Sequence, residues 1–143
     1  MAAPISAAAV AALAEEAIDW RFKGLPASWW GRTPAQICAQ APDLFGGGGA
    51  VGPVCVLRAE ALTHNLTTMA SWCRDRGVEL APHGKTHMAP QLFARQLDAG
   101  ACGITAATLS HVRAYRAFGV RDVVLANELV DDAGLRWLAA ELD

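Results

Sequence analysis

The chain has 143 residues, of which 53% are hydrophobic and 18% charged, so it can bury a core of ordinary domain size and is not disordered by composition. Its formal net charge is -2 at pH 7 and it contains no run of lysine or arginine, which argues against a nucleic-acid partner. The apolar N-terminal stretch lacks a basic start and contains Glu15, Glu16 and Asp19, so it predicts neither a signal peptide nor a membrane partner. We expect a cytoplasmic protein.

The cysteines are spaced 17, 18 and 29 residues apart and form no Cys-x-x-Cys motif. They are Cys38, Cys55, Cys73 and Cys102. Their density is lower than in small disulfide scaffolds. The pattern therefore favours small buried thiols over disulfides or a zinc site.

Residues 1–52 are predicted to form an N-terminal helix and a glycine-rich connector. The helix is expected to run from Ser6, a possible N-cap, to about residue 23, where a Gly-Leu-Pro sequence stops it. The four consecutive glycines Gly46 to Gly49 have too much backbone entropy for a regular element and match no phosphate-binding motif. Trp29 and Trp30 indicate a packing anchor.

From Pro53 onward, short apolar runs alternate with helical patterns. The predicted strands are Val54 to Leu57, Val78 to Ala81, Cys102 to Thr105 and Val123 to Ala126, and the predicted helices are 59–76, 90–98, 110–118 and 131–142. Each of the last three strands is followed by a helix, which is typical of a parallel sheet with crossover helices. The sequence thus predicts an α/β fold, either a small open sheet or the first part of a barrel. The absence of a clear stop on the last helix favours a truncated barrel.

One of only two lysines in the chain lies in the segment APHGKTHMAP, directly after the predicted strand Val78 to Ala81. In parallel α/β proteins, active sites form at the carboxyl ends of the strands. An amine forms a Schiff base only when it is unprotonated, a form that partial burial or nearby positive charge favours. Lys85 has His83 and His87 two residues away on either side, and Gly84 lets the backbone approach a planar ligand. This segment predicts a reactive lysine.

Two other interpretations of the segment stay open on spacing alone. Lys85 could be a solvated loop residue with incidental histidines, because isolated lysines are common in loops. His83 and His87 could bind a metal, but their spacing suits a helix, which Pro82 and Gly84 disfavour.

The segment from Pro53 to Asp132 resembles the pyridoxal-phosphate enzymes that include D-threonine aldolase, the eukaryotic-type D-serine dehydratase and bacterial amino acid deaminases. That family shows a Pro-His-x-Lys-Thr-His segment, then a Gln before an Ala-Gly-Ala, a Gly-Ile/Val-Thr strand and a later strand that ends in Asn. The matching residues here are Pro82 to His87, Gln96, Ala99 to Ala101, Gly103 to Thr105 and Asn127. Met88 stands where the family often has a lysine, as in the deaminase branch.

The resemblance implies an alanine-racemase-like fold, which combines a (β/α)8 TIM barrel with a second, mostly β domain. Residues 53–143 would then be the N-terminal part of the barrel, apparently incomplete, and most of the second domain would be missing. The strand Val54 to Leu57 would belong to that second domain. We therefore do not expect residues 1–143 alone to be active.

The function implied by the resemblance is that of a pyridoxal-phosphate-dependent lyase acting on β-hydroxy D-amino acids through a Schiff base on Lys85. Such a lyase either eliminates the β-hydroxyl, giving a 2-oxo acid and ammonia, or cleaves the substrate to glycine and an aldehyde. A homodimer is also implied, as is a divalent metal (zinc or manganese) bound by residues outside this chain. We assign no metal ligand within the chain.

The implied catalytic residues are Lys85 and His87. Lys85, His83, Thr105 and Asn127 are the expected cofactor-binding residues, the last two because they end strands at the edge where the cofactor should lie. His83 could instead brace the loop by a hydrogen bond, and Thr105 or Asn127 could instead cap the turn that follows its strand. His64 and His111 are expected on helices away from that edge, as structural or surface residues.

Three alternative functions stay open. The chain could be a related pyridoxal-phosphate racemase, although an alanine racemase should show a Lys-Ala-x-Ala-Tyr-Gly segment that GKTHMAP does not match. It could also be a non-catalytic carrier of the cofactor or an inactive truncated barrel.

Overall fold

The computed structural model describes residues 4–142, which form two compact units. One unit contains residues 4–7 and 63–142, and the other contains residues 8–62. In chain order, the regular elements are α1 (Ala7–Ala12), α2 (Pro34–Ala39), α3 (Ala59–Arg76), α4 (Pro90–Asp98), β1 (Ile104–Ala106), α5 (Leu109–Ala117), β2 (Val123–Leu125) and α6 (Asp132–Leu142). Single 3-10 turns lie at Leu13–Glu15, Ala27–Trp29 and Gly84–Thr86.

Strands β1 and β2 are parallel neighbours, and α5 connects them. Their register places Ile104 opposite Val123 and Ala106 opposite Leu125. All three residues of β1 are buried, as expected for a strand covered on both faces. The predicted strand–helix–strand crossover is therefore confirmed for the last two predicted strands, with bounds shifted by at most two residues.

The predicted strand Val78 to Ala81 does not form a continuous ladder, although its segment lies beside β1. The Cys102 N–H donates to the Leu80 carbonyl at 2.9 Å, and the Thr105 N–H donates to the Pro82 carbonyl at 2.8 Å. Only His83 pairs with Thr105 as an isolated parallel bridge. The segment is thus extended beside β1 without meeting the requirements of a regular strand.

The predicted strand Val54 to Leu57 is wrong. Three of its four residues are exposed large apolar residues, with 37% exposure at Val54, 48% at Val56 and 61% at Leu57. A β-branched run forms a strand only where a neighbouring backbone completes its hydrogen bonds, and residues 8–62 contain no strand in the structure.

The long N-terminal helix is also wrong, because α1 ends at Ala12 and only the 3-10 turn Leu13–Glu15 follows. Ile18 is 1% exposed and lies on extended backbone. Its N–H donates to the Arg32 carbonyl at 2.8 Å, and its carbonyl accepts from the Gly31 N–H at 2.9 Å. These tertiary bonds and the burial of Ile18 override the helix propensity of the alanine-rich sequence.

Helix α2 lies in a region that the sequence predicted to be irregular. Thr33 is its N-cap: the Thr33 hydroxyl accepts from the Gln36 N–H at 3.2 Å, and the Gln36 side chain accepts from the Thr33 N–H at 3.0 Å. A Thr-Pro-x-Gln sequence is the signature of this capping box and could have predicted the helix. The buried core of this unit is Ile18, Trp29 and Ile37. Trp29 is thus a packing anchor, as expected from the sequence, whereas Trp30 is 47% exposed and is not part of this core.

The predicted glycine-rich connector has the local form of a closed turn. The Gly49 N–H donates to the Gly46 carbonyl at 3.0 Å, and the Ala50 N–H donates to the Leu44 carbonyl at 2.8 Å. A Cβ at Gly49 would collide with the carbonyl oxygens of Asp43 and Leu44. Gly49 is therefore needed for the close approach of the backbone in this turn.

The helices after residue 58 agree with the sequence. Helices α3 and α4 have the predicted bounds, and α5 and α6 lie within one residue of theirs. Gly77 ends α3 with a φ of 61°, and its N–H donates to the Arg74 carbonyl at 3.1 Å. Among residues 4–142, no helix is both long enough and apolar enough to span a bilayer.

The prediction that the cysteines are buried holds only for Cys73. Cys73 is buried, whereas Cys38, Cys55 and Cys102 are exposed, and all four are free thiols. Most of the cysteines therefore do not act as core residues here.

An aromatic core lies beneath Gly84. Tyr115, Phe93 and Ile104 are at most 1% exposed, and the Phe93 and Tyr115 rings meet edge-on with centroids 4.8 Å apart. A Cβ at Gly84 would lie 2.6 Å from the Tyr115 hydroxyl oxygen, 2.7 Å from Phe93 and 2.8 Å from Ile104. Only glycine fits at this position without displacing the core.

We expect Gly84→Ala to lower the free energy of unfolding by about 1–3 kcal/mol, because the added methyl group overpacks the site. Urea unfolding followed by circular dichroism measures the change. Gly47→Ala is the control, since no atom lies within 4 Å of the Cβ position there. Equal stability of the two variants would contradict the packing at Gly84.

Candidate functional site

Lys85 lies on the 3-10 turn Gly84–Thr86, directly after the extended segment beside β1. The turn is closed by the Met88 N–H, which donates to the Gly84 carbonyl at 2.9 Å. The Lys85 side chain is exposed, and no hydrogen bond or ion pair of its amine is found among residues 4–142. The structure therefore presents an unpaired primary amine at the carboxyl edge of the parallel pair, and of the two conditions named from the sequence, partial burial is not met.

Met88 has an unusual backbone conformation at the end of this turn. Its φ is 48°, in the left-handed region that non-glycine residues rarely adopt. Its sulfur lies 3.8 Å from the Tyr115 hydroxyl oxygen. The surrounding contacts must compensate for a local cost of about 1–2 kcal/mol, a pattern that is common at functional sites.

His83 is held by the backbone of β1. Its Nδ1 lies 3.1 Å from the Thr105 carbonyl oxygen. A carbonyl only accepts, so Nδ1 carries the proton and donates it. In the neutral ring, Nε2 then carries the lone pair and can accept a proton or a hydrogen bond.

His87 has the opposite tautomer. Its Nδ1 accepts from the Ala89 N–H at 3.1 Å, so Nε2 carries the proton of the neutral ring. The ring packs on Phe93 with centroids 5.1 Å apart. Burial lowers the pKa of His87, and the nearby side chain of Gln96 opposes that effect in part. Backbone groups thus fix opposite tautomers in the two histidines that flank Lys85 in sequence.

Thr105 is buried and its polar groups are occupied. Its hydroxyl donates to the Ala81 carbonyl at 2.6 Å, while its own carbonyl accepts from His83 and, at 3.4 Å, from the Tyr115 hydroxyl. The sequence analysis did not predict Tyr115 as a site residue, because an aromatic residue on the apolar face of a helix is usually a core residue without another role. Burial raises the pKa of the Tyr115 phenol, which keeps it a hydrogen-bond donor.

Asn127 and His111 bind the backbone of Ala107, the residue after β1. The Asn127 side-chain amide donates to the Ala107 carbonyl at 3.3 Å, and the Ala107 N–H donates to Nδ1 of His111 at 3.3 Å. The Asn127 side-chain oxygen accepts from the Glu128 N–H at 3.1 Å. His111 therefore lies at the carboxyl edge, contrary to the position expected from the sequence, whereas His64 is exposed on α3.

Four of the predicted site residues lie at the carboxyl edge, and they differ in exposure and hydrogen bonding. Lys85 is exposed with a free amine, His83 and Thr105 are bonded to each other, and Asn127 braces the next loop. The side chain of His87 lies against α4 instead. Within residues 4–142, no group of three His, Cys, Asp or Glu side chains is arranged to hold a metal ion.

Comparison with known proteins finds relatives in both sequence and backbone. A D-threonine aldolase from Arthrobacter sp is 36% identical over 86 residues, which are 60% of this chain and 23% of that protein. The crystal structure of D-threonine aldolase from Filomicrobium marinum matches with a TM-score of 0.61 and 33% identity over 64% of this chain and 24% of the other. The chain resembles D-threonine aldolase.

Two further relatives are named for reactions of other hydroxy amino acids. A D-threo-3-hydroxyaspartate dehydratase from Delftia sp. strain HT23 is 34% identical over 74 residues, 52% of this chain and 20% of that protein. A 3-hydroxy-D-aspartate aldolase from Paracoccus denitrificans is 27% identical over 88 residues, 61% of this chain and 23% of that protein. No protein-family model matches the chain. The matches span about a quarter of the length of these relatives. They confirm the resemblance to the D-threonine aldolase family that the sequence motifs indicated.

We expect the protein to lose stability as the pH falls below 6.5, the ordinary pKa of histidine, because burial lowers the pKa of His87. Between the folded pKa and 6.5, the unfolded chain binds more protons at this residue, so acid favours unfolding. His87→Gln should reduce this loss in urea titrations on either side of pH 6.5.

His64→Gln is the matched control, because His64 is an exposed histidine on α3. It should keep the wild-type pH dependence. If His87→Gln also keeps it, the buried ring is not the source of the acid sensitivity.

Proposed function

We propose that the protein is a pyridoxal-phosphate-dependent lyase acting on β-hydroxy D-amino acids, and that Lys85 holds the cofactor. The observation that carries this proposal is the free, exposed amine of Lys85 at the carboxyl edge of a parallel strand pair. Ligands of parallel α/β proteins bind at that edge. The similarity to D-threonine aldolase supports the same assignment.

The residues around Lys85 fit a planar aldehyde cofactor. The amine has no competing partner among the described residues, and His83 offers a ring acceptor two residues away. We propose that Thr105 and Asn127 contribute by fixing the backbone on which the cofactor lies, because the bonds described for them go to neighbouring backbone. When bound, the cofactor supplies an electron sink for the negative charge that develops at the α-carbon of the substrate.

The substrate class follows from what the relatives' names share. D-threonine, D-threo-3-hydroxyaspartate and 3-hydroxy-D-aspartate all carry a hydroxyl group on the β-carbon of a D-amino acid. The names include both aldolases and a dehydratase. We therefore propose the shared substrate class, with either aldol cleavage or dehydration as the reaction. The barrel, the homodimer, the divalent metal and the cytoplasmic location stay predictions.

We propose that both His87 and Lys85 are required for turnover. Its ring is neutral at neutral pH, because burial lowers its pKa. Since Nδ1 is occupied by the Ala89 N–H, any proton that this ring exchanges must leave or arrive at Nε2.

We expect borohydride reduction with pyridoxal 5′-phosphate to place a pyridoxyl group on Lys85, as read by peptide mass spectrometry. The chain contains one other lysine, Lys23, which makes the control clean. Lys85→Arg should abolish the label and Lys23→Arg should leave it unchanged. A label on Lys23 alone, or no label on folded wild-type protein, would refute the assignment of Lys85.

We expect His87→Ala to lower turnover of D-threonine by about 100-fold or more, the usual contribution of a proton-transferring side chain. Cofactor occupancy, read from the pyridoxyl label, should fall much less. The measurement is made on the protein at its natural length, with His64→Ala as control. A parallel loss of occupancy and turnover would make His87 a structural brace.

A further inference from the structure

Two buried polar atoms near the Lys85 turn have no hydrogen-bond partner among the described residues. They are Nε2 of His87 and the side-chain oxygen Oε1 of Gln96. A buried polar atom without a partner costs about 1–3 kcal/mol, so an orphaned pair in one place calls for an explanation.

The two atoms are chemically complementary. Nδ1 of His87 accepts from the Ala89 N–H, so Nε2 must carry the proton and is a donor. The amide oxygen of Gln96 can only accept. One orphaned donor and one orphaned acceptor can therefore satisfy each other.

The fold places the two side chains side by side. Phe93 and Gln96 are three residues apart on α4 and so share one helix face. Phe93 packs on the His87 ring with centroids 5.1 Å apart, so Gln96 follows one turn later on the same face. The influence of Gln96 on the pKa of His87 agrees with this proximity, although neither orphaned atom makes a hydrogen bond of ordinary geometry in the structure.

We infer that Gln96 is a positioning residue: its side-chain oxygen accepts the Nε2 proton of His87 and so holds the His87 ring and the turn that carries Lys85. The His87 ring is then held at both nitrogens, by the Ala89 N–H and by Gln96, and the bond to Gln96 opens when Nε2 exchanges the proton proposed above. Met88 lies between His87 and Ala89 in sequence, and its N–H donates to the Gly84 carbonyl, which closes the turn around Lys85. The importance of this pair for catalysis rests on the proposed function of Lys85.

The test compares two substitutions at Gln96 with a matched control on the same helix. Gln96→Met keeps the length of the side chain and removes the acceptor, whereas Gln96→Glu keeps the acceptor and adds negative charge. Gln91→Met and Gln91→Glu are the controls, because Gln91 is exposed on α4. NMR titration of the histidine rings and hydrogen exchange of the Met88 and Ala89 amides are the readouts.

We expect the pKa of His87 to rise in Gln96→Glu and to fall in Gln96→Met, with no change in the Gln91 variants. The Met88 and Ala89 amides should exchange several-fold faster in Gln96→Met. Because Gln96→Glu tests the same pair with the acceptor retained, the inference can be judged even if Gln96→Met does not fold. An unchanged His87 titration in folded Gln96 variants would overturn it.

Pyridoxyl labelling of Lys85 separates this inference from the proposed function. Slower labelling in Gln96→Met, with normal labelling in Gln91→Met, supports the positioning role. Equal labelling rates in both variants would overturn that role for the lysine. Absence of label in the wild-type protein, together with a shifted His87 titration in Gln96→Glu, would overturn the proposed cofactor and leave the His87–Gln96 pair established.

Discussion

The hydrogen bonds of Thr105 are the constraint on which the position of Lys85 depends. Thr105 ties β1 to the preceding segment through its N–H, its hydroxyl and its carbonyl, which bind Pro82, Ala81 and His83 respectively. Each such buried bond contributes only about 0.5–1.5 kcal/mol, but leaving one group unpaired costs more. The segment therefore has one register against β1, and Lys85, two residues beyond His83, has a defined place.

The aromatic layer formed by Phe93 and Tyr115 supports the same turn from below. Gly84 leaves no room for a Cβ against either ring, His87 packs on Phe93, and the Tyr115 hydroxyl donates to the Thr105 carbonyl. Apolar packing and polar bonding thus act on adjacent residues of one short loop. Such combined support is what a reactive group needs if it is to keep one orientation while its end remains exposed.

The sequence predicted the parts of the fold whose signals are local. Helices α3 and α4 have periodic apolar residues and end near glycines, so their bounds were accessible from the sequence. The strand at Val54 and the long first helix were wrong, because a partner strand and the burial of Ile18 decide those segments, and neither is visible in local sequence.

The candidate site divides in the same way. The motif predicted Lys85 as a site residue, and in the structure Lys85 lies at the expected edge of the parallel pair. The tautomers of His83 and His87 could not be predicted from the sequence, because each depends on one backbone group that folding brings to the ring. Tyr115 and the orphaned atoms of His87 and Gln96 likewise become visible only when α4 and α5 are packed.

The left-handed backbone at Met88 has a consequence for how this position can change during evolution. Conformation, more than side-chain chemistry, sets which residues are tolerated there. Glycine and asparagine enter that region at little cost, unbranched side chains at moderate cost, and β-branched side chains at the highest cost. Variation at position 88 should therefore move among unbranched, asparagine and glycine residues while valine, isoleucine and threonine stay rare, whichever substrate the neighbouring lysine serves.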